Sequence, residues 1–226
     1  MGTYYKNVQP WIEKIDTGVW IELGVDRGEG STHWFVDQAS LKSCKFYGVD
    51  MDPEQIKRAD ANLRPKTALI NPSGETSVIS SELPDHVNLV CARGEDFLVQ
   101  YHKENPDKKV SLAYLDNFDW DYWLGQQEEE FVAGVKQNYR DKMNVEMNNI
   151  NSQLTHLLQA IRLLPMMSDN SVIICDDTWV IPNEGIFSGK CSVAIPFLML
   201  HGYKLLHYQG HRQNSGAIMG RFKNVS

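Results

Sequence analysis

Five short apolar runs, at 19–23, 46–49, 87–90, 110–115 and 172–175, are rich in Val, Ile and Leu, and segments of helical pattern separate them. Runs of that length without polar alternation are strands buried on both faces, and such strands form parallel sheets whose crossovers are helices. Helices predicted at 32–40, 53–63, 95–102, 153–163 and 192–200 supply those crossovers, with Pro53 at a first helical position. The fold class is therefore α/β: a Rossmann-like doubly wound sheet with mostly parallel strands. The tail differs, because 203–208 and 215–222 both read as strands and only a turn containing Gly210 lies between them. A C-terminal antiparallel strand pair is predicted there.

The 226 residues suit one domain, 1–226, and 42% hydrophobic with 23% charged residues is the composition of a folded globular chain. A net charge of -7 opposes binding to phosphate backbones, so no nucleic-acid partner is expected. No run approaches the ~20 apolar residues of a membrane span. Lys6, Glu13, Lys14 and Asp16 interrupt the start of the chain, so neither a membrane nor a secretory leader is expected. Cys44, Cys91, Cys175 and Cys191 are far apart and lack zinc spacing, which reads as reduced thiols and a cytoplasmic location. Two connections exceed what the scaffold needs: 64–86, and 120–152 with its run Glu128, Glu129, Glu130. The second reads equally as a solvated helical insertion or as a lid over a site.

Glu22, Gly24, Gly28 and Gly30 follow a predicted strand and precede a predicted helix. Glycines there allow a sharp turn and close approach to a ligand, and the helix start offers unpaired N–H groups, with Ser31 and Thr32 adding hydroxyls. The spacing departs from GxGxxG, and an acidic Asp26 in the turn repels a pyrophosphate, which disfavours nicotinamide cofactors. S-adenosylmethionine, with its sulfonium and ammonium, suits carboxylates such as Glu22. Asp50 ends the second strand, where a carboxylate can accept from both ribose hydroxyls of an adenosine, although Asp50 or Asp52 could instead cap the helix at Pro53. Gly94 and Glu95 follow the third strand. They could meet an adenine, or simply be an acidic helix start.

The fourth strand runs into Asp116, Asn117, Phe118 and Asp119, and the fifth into Asp176 and Asp177. Ligands of doubly wound sheets bind at the carboxyl ends of the strands, so these acids are expected to converge. Uncompensated, they repel. A divalent cation, Mg²⁺ above all, would relieve that with oxygen ligands; the alternative is that Asp176 or Asp177 caps a loop or pairs with an arginine.

ELGVDRGEGST, GVDMDP, ARGEDFL, LDNFDWDYW and ICDDTW together resemble the cofactor, ribose, adenine and metal segments of class I S-adenosylmethionine-dependent methyltransferases. The likeness is to the catechol and macrocin (sugar) O-methyltransferase-like branch. The resemblance implies the class I methyltransferase fold, with Glu22, Gly24, Gly28, Gly30 and Ser31 around the methionine end of the cofactor and Asp50 on the ribose. It places Met51 beside the adenine and Gly94 and Glu95 at its edge, with Asp116 also near the cofactor. Asp116, Asp176 and Asp177 would be metal ligands. Catechol-type enzymes have a catalytic lysine where this chain has Asp119, and Asp-Asn where it has Asp176-Asp177, so the sugar-modifying branch is nearer and Asp119 is the candidate base. The implied activity is metal-assisted O-methylation of a hydroxylated small molecule, sugar or phenolic. Tyr4, Tyr5, Trp11, Trp120, Trp123 and Trp179 are candidates to line the acceptor pocket or to pack the core. A noncatalytic cofactor-binding module and an NAD(P)-dependent oxidoreductase are the rival readings.

Overall fold

Val19 to Leu23 is buried at every position, and the sheet is built outward from this strand. A computed structural model describes residues 3–70, 76–80, 82–119, 129–181, 184–210 and 214–223. A 3-10 helix (Tyr4–Val8) and α1 (Gln9–Ile12) lead into β1 (Val19–Leu23), α2 (Ser31–Leu41), β2 (Lys45–Asp50) and α3 (Pro53–Leu63). An antiparallel pair, β3 (Lys66–Ile70) and β4 (Thr76–Ser80), precedes β5 (Val87–Cys91), α4 (Gly94–Glu104) and β6 (Val110–Leu115). Next come α5 (Glu129–Met143), α6 (Asn149–Leu163) and β7 (Met167–Asp176). A second antiparallel pair, β8 (Thr178–Ile181) and β9 (Ile186–Gly189), leads to α7 (Ala194–Leu200), β10 (Lys204–Gln209) and β11 (Gly216–Phe222).

The main sheet has seven strands in the order β10-β11-β7-β6-β1-β2-β5. β5, β2, β1, β6 and β7 are mutually parallel, as the buried apolar runs predict. The last two strands pair antiparallel, also as predicted, with β11 inserted between β7 and β10 and opposed to both. Side chains alternate across the sheet. Val19, Ile21 and Leu23 face one core with Leu98, Leu163 and Leu198, while Trp20 faces the other with Phe35, Tyr5 and Val8. The short N-terminal segment thus closes the second core. Glycine at 216 makes room for it, since a Cβ there would lie 2.2 Å from the Tyr4 ring.

The pairs β3–β4 and β8–β9 were not predicted, whereas α5 falls in the segment read as a helical insertion or a lid. Of the segment 120–152, residues 120–128 lie outside the described ones, as do Trp120 and Trp123; α5 and the start of α6 occupy most of the remainder. The four cysteines are free thiols. Among the described residues no helix is long and apolar enough to cross a membrane.

Ile21 is fully buried in the central strand, so Ile21→Ala leaves a cavity in the larger core. Urea denaturation is expected to show a loss of about 2–5 kcal/mol with an unchanged m value.

Candidate active site

β1 pairs with β2 on one side and with β6 on the other, so the chain leaves adjacent strands in opposite directions and opens a crevice at their carboxyl ends. A cleft of about 970 Å³ lies there. Its floor depends on Gly24, whose φ is +97° and whose added Cβ would stand 2.6 Å from the Asn117 backbone nitrogen. Only a residue without a side chain lets the turn after β1 meet the turn after β6 so closely. Gly24, Gly30 and Ser31 line the cleft. Gly28 does not: it packs against Ala59 of α3, where a Cβ would come within 2.7 Å of the backbone.

Glu22 is fully buried under the turn and is not among the lining residues. Neither carboxylate oxygen receives a hydrogen bond of good geometry among the described residues. Burial pushes its pKa up to about 8; the Ser31 and Thr32 hydroxyls lie near enough to oppose the rise in part, and Asp116 and Asp50 add to it. Glu22 therefore touches the cleft only through its neighbours.

Asp50, Met51 and Gly94 line the same cleft. The Asp50 carboxylate accepts from the backbone N–H of Asp26 at 3.2 Å and of Asp52 at 2.9 Å, which leaves lone pairs for a ligand. Asp52, rather than Asp50, is the helix cap, its Oδ1 accepting from Glu54 N–H at 2.9 Å. Glu95 is turned away from the cleft and accepts from Arg93 Nε at 2.9 Å.

At the far end, carboxylate oxygens of Asp116, Asp176 and Asp177 lie within 4.8 Å of one another. They converge as their positions on β6 and β7 imply. Among them sits a residue that sequence reasoning missed: Lys190, 2% exposed, with Nζ at 2.9 Å from Asp116 Oδ1 and 3.0 Å from Asp177 Oδ2. It also donates to the Asp116 carbonyl at 3.3 Å. Burial alone would lower the lysine's pKa, but Asp116 and Asp177, then Asp119 and Asp176, hold it well above its ordinary value. Burial raises the pKa of Asp116 against the pull of Lys190, and raises that of Asp176 far more, with Asp116 and Asp177 adding to the effect. Tyr114 Oη donates to Asp116 Oδ2 at 3.3 Å.

Lys190 is delivered by the β8–β9 pair. Thr178 pairs with Gly189, so the next residue falls opposite Asp177 and its N–H donates to the Asp177 carbonyl at 3.1 Å. Gly189 has φ +94°, and a Cβ there would lie 2.0 Å from that carbonyl. The sequence did hold a signal for this hairpin, the runs TWVI and IFSG around Pro182 to Gly185.

α5 closes one side of the cleft with Val135, Asn138, Tyr139 and Met143. Tyr139 Oη donates to Asp119 Oδ2 at 3.0 Å and accepts from Asp119 N–H at 2.9 Å. Lys142 reaches Asp52 Oδ2 at 3.3 Å, and Phe118, Tyr139 and Met147 form a small core of their own. The insertion is therefore a wall of the cleft on its inner face and solvated on its outer one. Of the aromatic candidates, Tyr5 lines the cleft, whereas Tyr4 packs inside and Trp11 lies at a separate groove.

No family model and no curated protein matches the sequence. Solved structures do match in shape. A putative rRNA-methylase from Clostridium thermocellum superposes with a TM-score of 0.51 at 9% identity, over 100% of this chain and 99% of that one. CalS11, a TDP-rhamnose 3'-O-methyltransferase of calicheamicin biosynthesis, gives 0.51 at 12% identity, over 95% and 76%. The chain has the Rossmann-like class I methyltransferase fold.

The state of Glu22 sets a pH dependence. Its carboxyl has an ordinary value of 4.5 and a folded value of about 8, so between those limits the folded chain keeps a proton that the unfolded chain has lost. Stability must therefore fall as pH rises through that window. Glu22→Gln should abolish its share of the slope and make the ligand-free protein more stable than the parent by about 2–4 kcal/mol near pH 8, with little difference near pH 4.5. Urea denaturation of both proteins at the two ends of the window measures this.

Proposed function

We propose that the chain is an S-adenosylmethionine-dependent methyltransferase acting on a hydroxyl group of a small molecule, either a sugar or a phenolic compound. The observation that carries this reading is one cleft with two chemically distinct ends. At one end the glycine turn, Asp50, Met51 and Gly94 surround a space for an adenosine. At the other, Asp116, Asp119, Asp176, Asp177 and Lys190 gather around a space for an acceptor. An acidic, glycine-lined pocket fits a ligand that carries a sulfonium and an ammonium, and it repels the pyrophosphate of a nicotinamide cofactor. CalS11 modifies a sugar, and the hydroxyl reading for this chain leans on that likeness of fold. The rRNA assigned to the other relative does not suit a cleft lined by carboxylates in a chain of net charge -7.

Bound S-adenosylmethionine supplies an electrophilic methyl carbon; the acceptor oxygen takes the methyl, and the electron pair of the broken C–S bond stays on sulfur. The chain's task is alignment and removal of the acceptor's proton. Asp119 is the base proposed for it. Tyr139, kept protonated by burial and by the charge of Asp119, engages Oδ2. Oδ1 has no hydrogen-bond partner among the described residues and is left for an acceptor hydroxyl. Were a divalent ion present, Asp116, Asp176 and Asp177 would be its ligands and it would act as a Lewis acid on the acceptor oxygen. Lys190 already meets two of those carboxylates.

Thermal denaturation with S-adenosylhomocysteine, NAD and NADP tests the cofactor. The homocysteine compound alone should raise Tm, and Asp50→Asn should weaken its binding about ten-fold or more. Stabilisation by NAD instead would overturn the reading in favour of an oxidoreductase. Methyl transfer from labelled S-adenosylmethionine to a panel of hydroxylated compounds tests the reaction. Binding without any turnover would point to a noncatalytic module. On a compound that is methylated, Asp119→Asn should cost about 100-fold or more in kcat; full turnover would remove Asp119 from the mechanism.

A further inference from the structure

We propose that Lys190 is the resident cation of the acidic end of the cleft, standing where a divalent metal would otherwise sit, and that the site works without a metal. The reading of the cleft as a methyltransferase site gives this arrangement its purpose, but the arrangement itself rests on geometry. A divalent ion bound by Asp116, Asp176 and Asp177 needs their oxygens as direct ligands at about 2.0–2.6 Å. Asp116 Oδ1 and Asp177 Oδ2, one oxygen from each of two of these carboxylates, are already within 2.9 and 3.0 Å of the ammonium. An ion entering there must push aside a like charge.

The lysine has little freedom to yield. Its side chain is 2% exposed; its ammonium donates to Asp116 Oδ1 and to the Asp116 carbonyl and stands 3.0 Å from Asp177 Oδ2 as an ion pair. Its backbone is fixed by the pairing of Thr178 with Gly189 and by the hydrogen bond to the Asp177 carbonyl. A released ammonium would be left buried without a partner, the costliest state for a charge inside a protein. His156, buried nearby and held neutral with its pKa lowered to about 4 by burial and then by Lys190, offers no replacement charge.

An ammonium and a metal ion do different things for an acceptor. A metal offers open coordination positions and favours acceptors with two adjacent oxygens that chelate it. Lys190 is engaged by the aspartates, so it acts as a positioning residue: it holds Asp116 and Asp177 in place. Their remaining oxygens then accept hydrogen bonds from the acceptor's hydroxyls. The class of acceptor this fits is a hydroxylated compound bound through O–H donors, with no need for a chelating pair.

The test uses Mg²⁺ and Mn²⁺ as probes, titrated calorimetrically into EDTA-treated protein. The parent chain should show no saturable binding up to roughly 1 mM, far above what a dedicated carboxylate site requires. Lys190→Gln empties the position, and it should gain a single Mn²⁺ site at least about ten-fold tighter than any parental binding, which the double variant with Asp177→Asn should lose. One-to-one binding by the parent, abolished by Asp177→Asn, would overturn the proposal. So would a Lys190→Gln protein with parental circular dichroism that takes up no ion. If that variant does not fold, the parent titration decides alone. Stabilisation by S-adenosylhomocysteine, measured on the same parent sample, keeps the outcomes separate: its failure would sink the methyltransferase reading and leave the metal result standing.

Discussion

The carboxyl edge of the sheet must gather negative charge in a place with little water, and this constraint shapes the molecule. Parallel strands buried on both faces end at one edge, and whatever polar residues terminate them are brought together there. In this chain β2 ends in Asp50 and β7 in Asp176, and Asp116 and Asp177 directly follow β6 and β7. Glu22 lies one position before the end of β1 and is fully buried. Like charges so placed remain ionised only against a counter-charge, and otherwise they take up protons. Asp116 and Asp177 share Lys190, while burial drives Glu22 and Asp176 toward their protonated forms.

That division explains why the central sheet was predictable and much of the site was not. A buried strand announces itself in five or six consecutive residues, and the order of apolar run and helix determines the parallel core. The turn after β1 was equally local: Gly24, Gly30 and Ser31 line the cleft, as do Asp50, Met51, Gly94, Asp116, Asp119, Asp176 and Asp177. Three other residues behaved differently. Glu95 was aligned with an adenine edge but is bound to Arg93, two positions before it. Gly28 serves contact with Ala59, a pairing visible only once α3 packs on the turn. Lys190 lies 74 residues from Asp116, and nothing in its immediate neighbours marks it as a buried charge.

The insertion shows the same limit from the opposite side. Its polarity is that of a solvated helix, and most of α5 is exposed or half-exposed. Yet Tyr139 and Lys142, three residues apart and so on one face of α5, reach two different strand ends: Asp119 beyond β6 and Asp52 beyond β2. A helix bridging both sides of the crevice is more than a surface loop. It sets the width of the cleft between the adenosine end and the acidic end, and its position depends on two polar contacts and a small apolar core around Phe118.

This arrangement gives the cleft a direction. Asp119 is held from α5, while Asp116 and Asp177 are held by Lys190 at the end of the β8–β9 pair. The Tyr139 phenol donates one hydrogen bond to Asp119 without adding charge, which fixes the direction of that carboxylate. Groups that must stay ionised benefit from a buried ammonium, whose attraction is strongest where water is scarce. The two kinds of partner hold the carboxylates from two sides, Asp119 by a neutral phenol and Asp116 with Asp177 by an ammonium. A cleft lined by acids alone would leave them to repel one another; Tyr139 and Lys190 give them fixed partners instead.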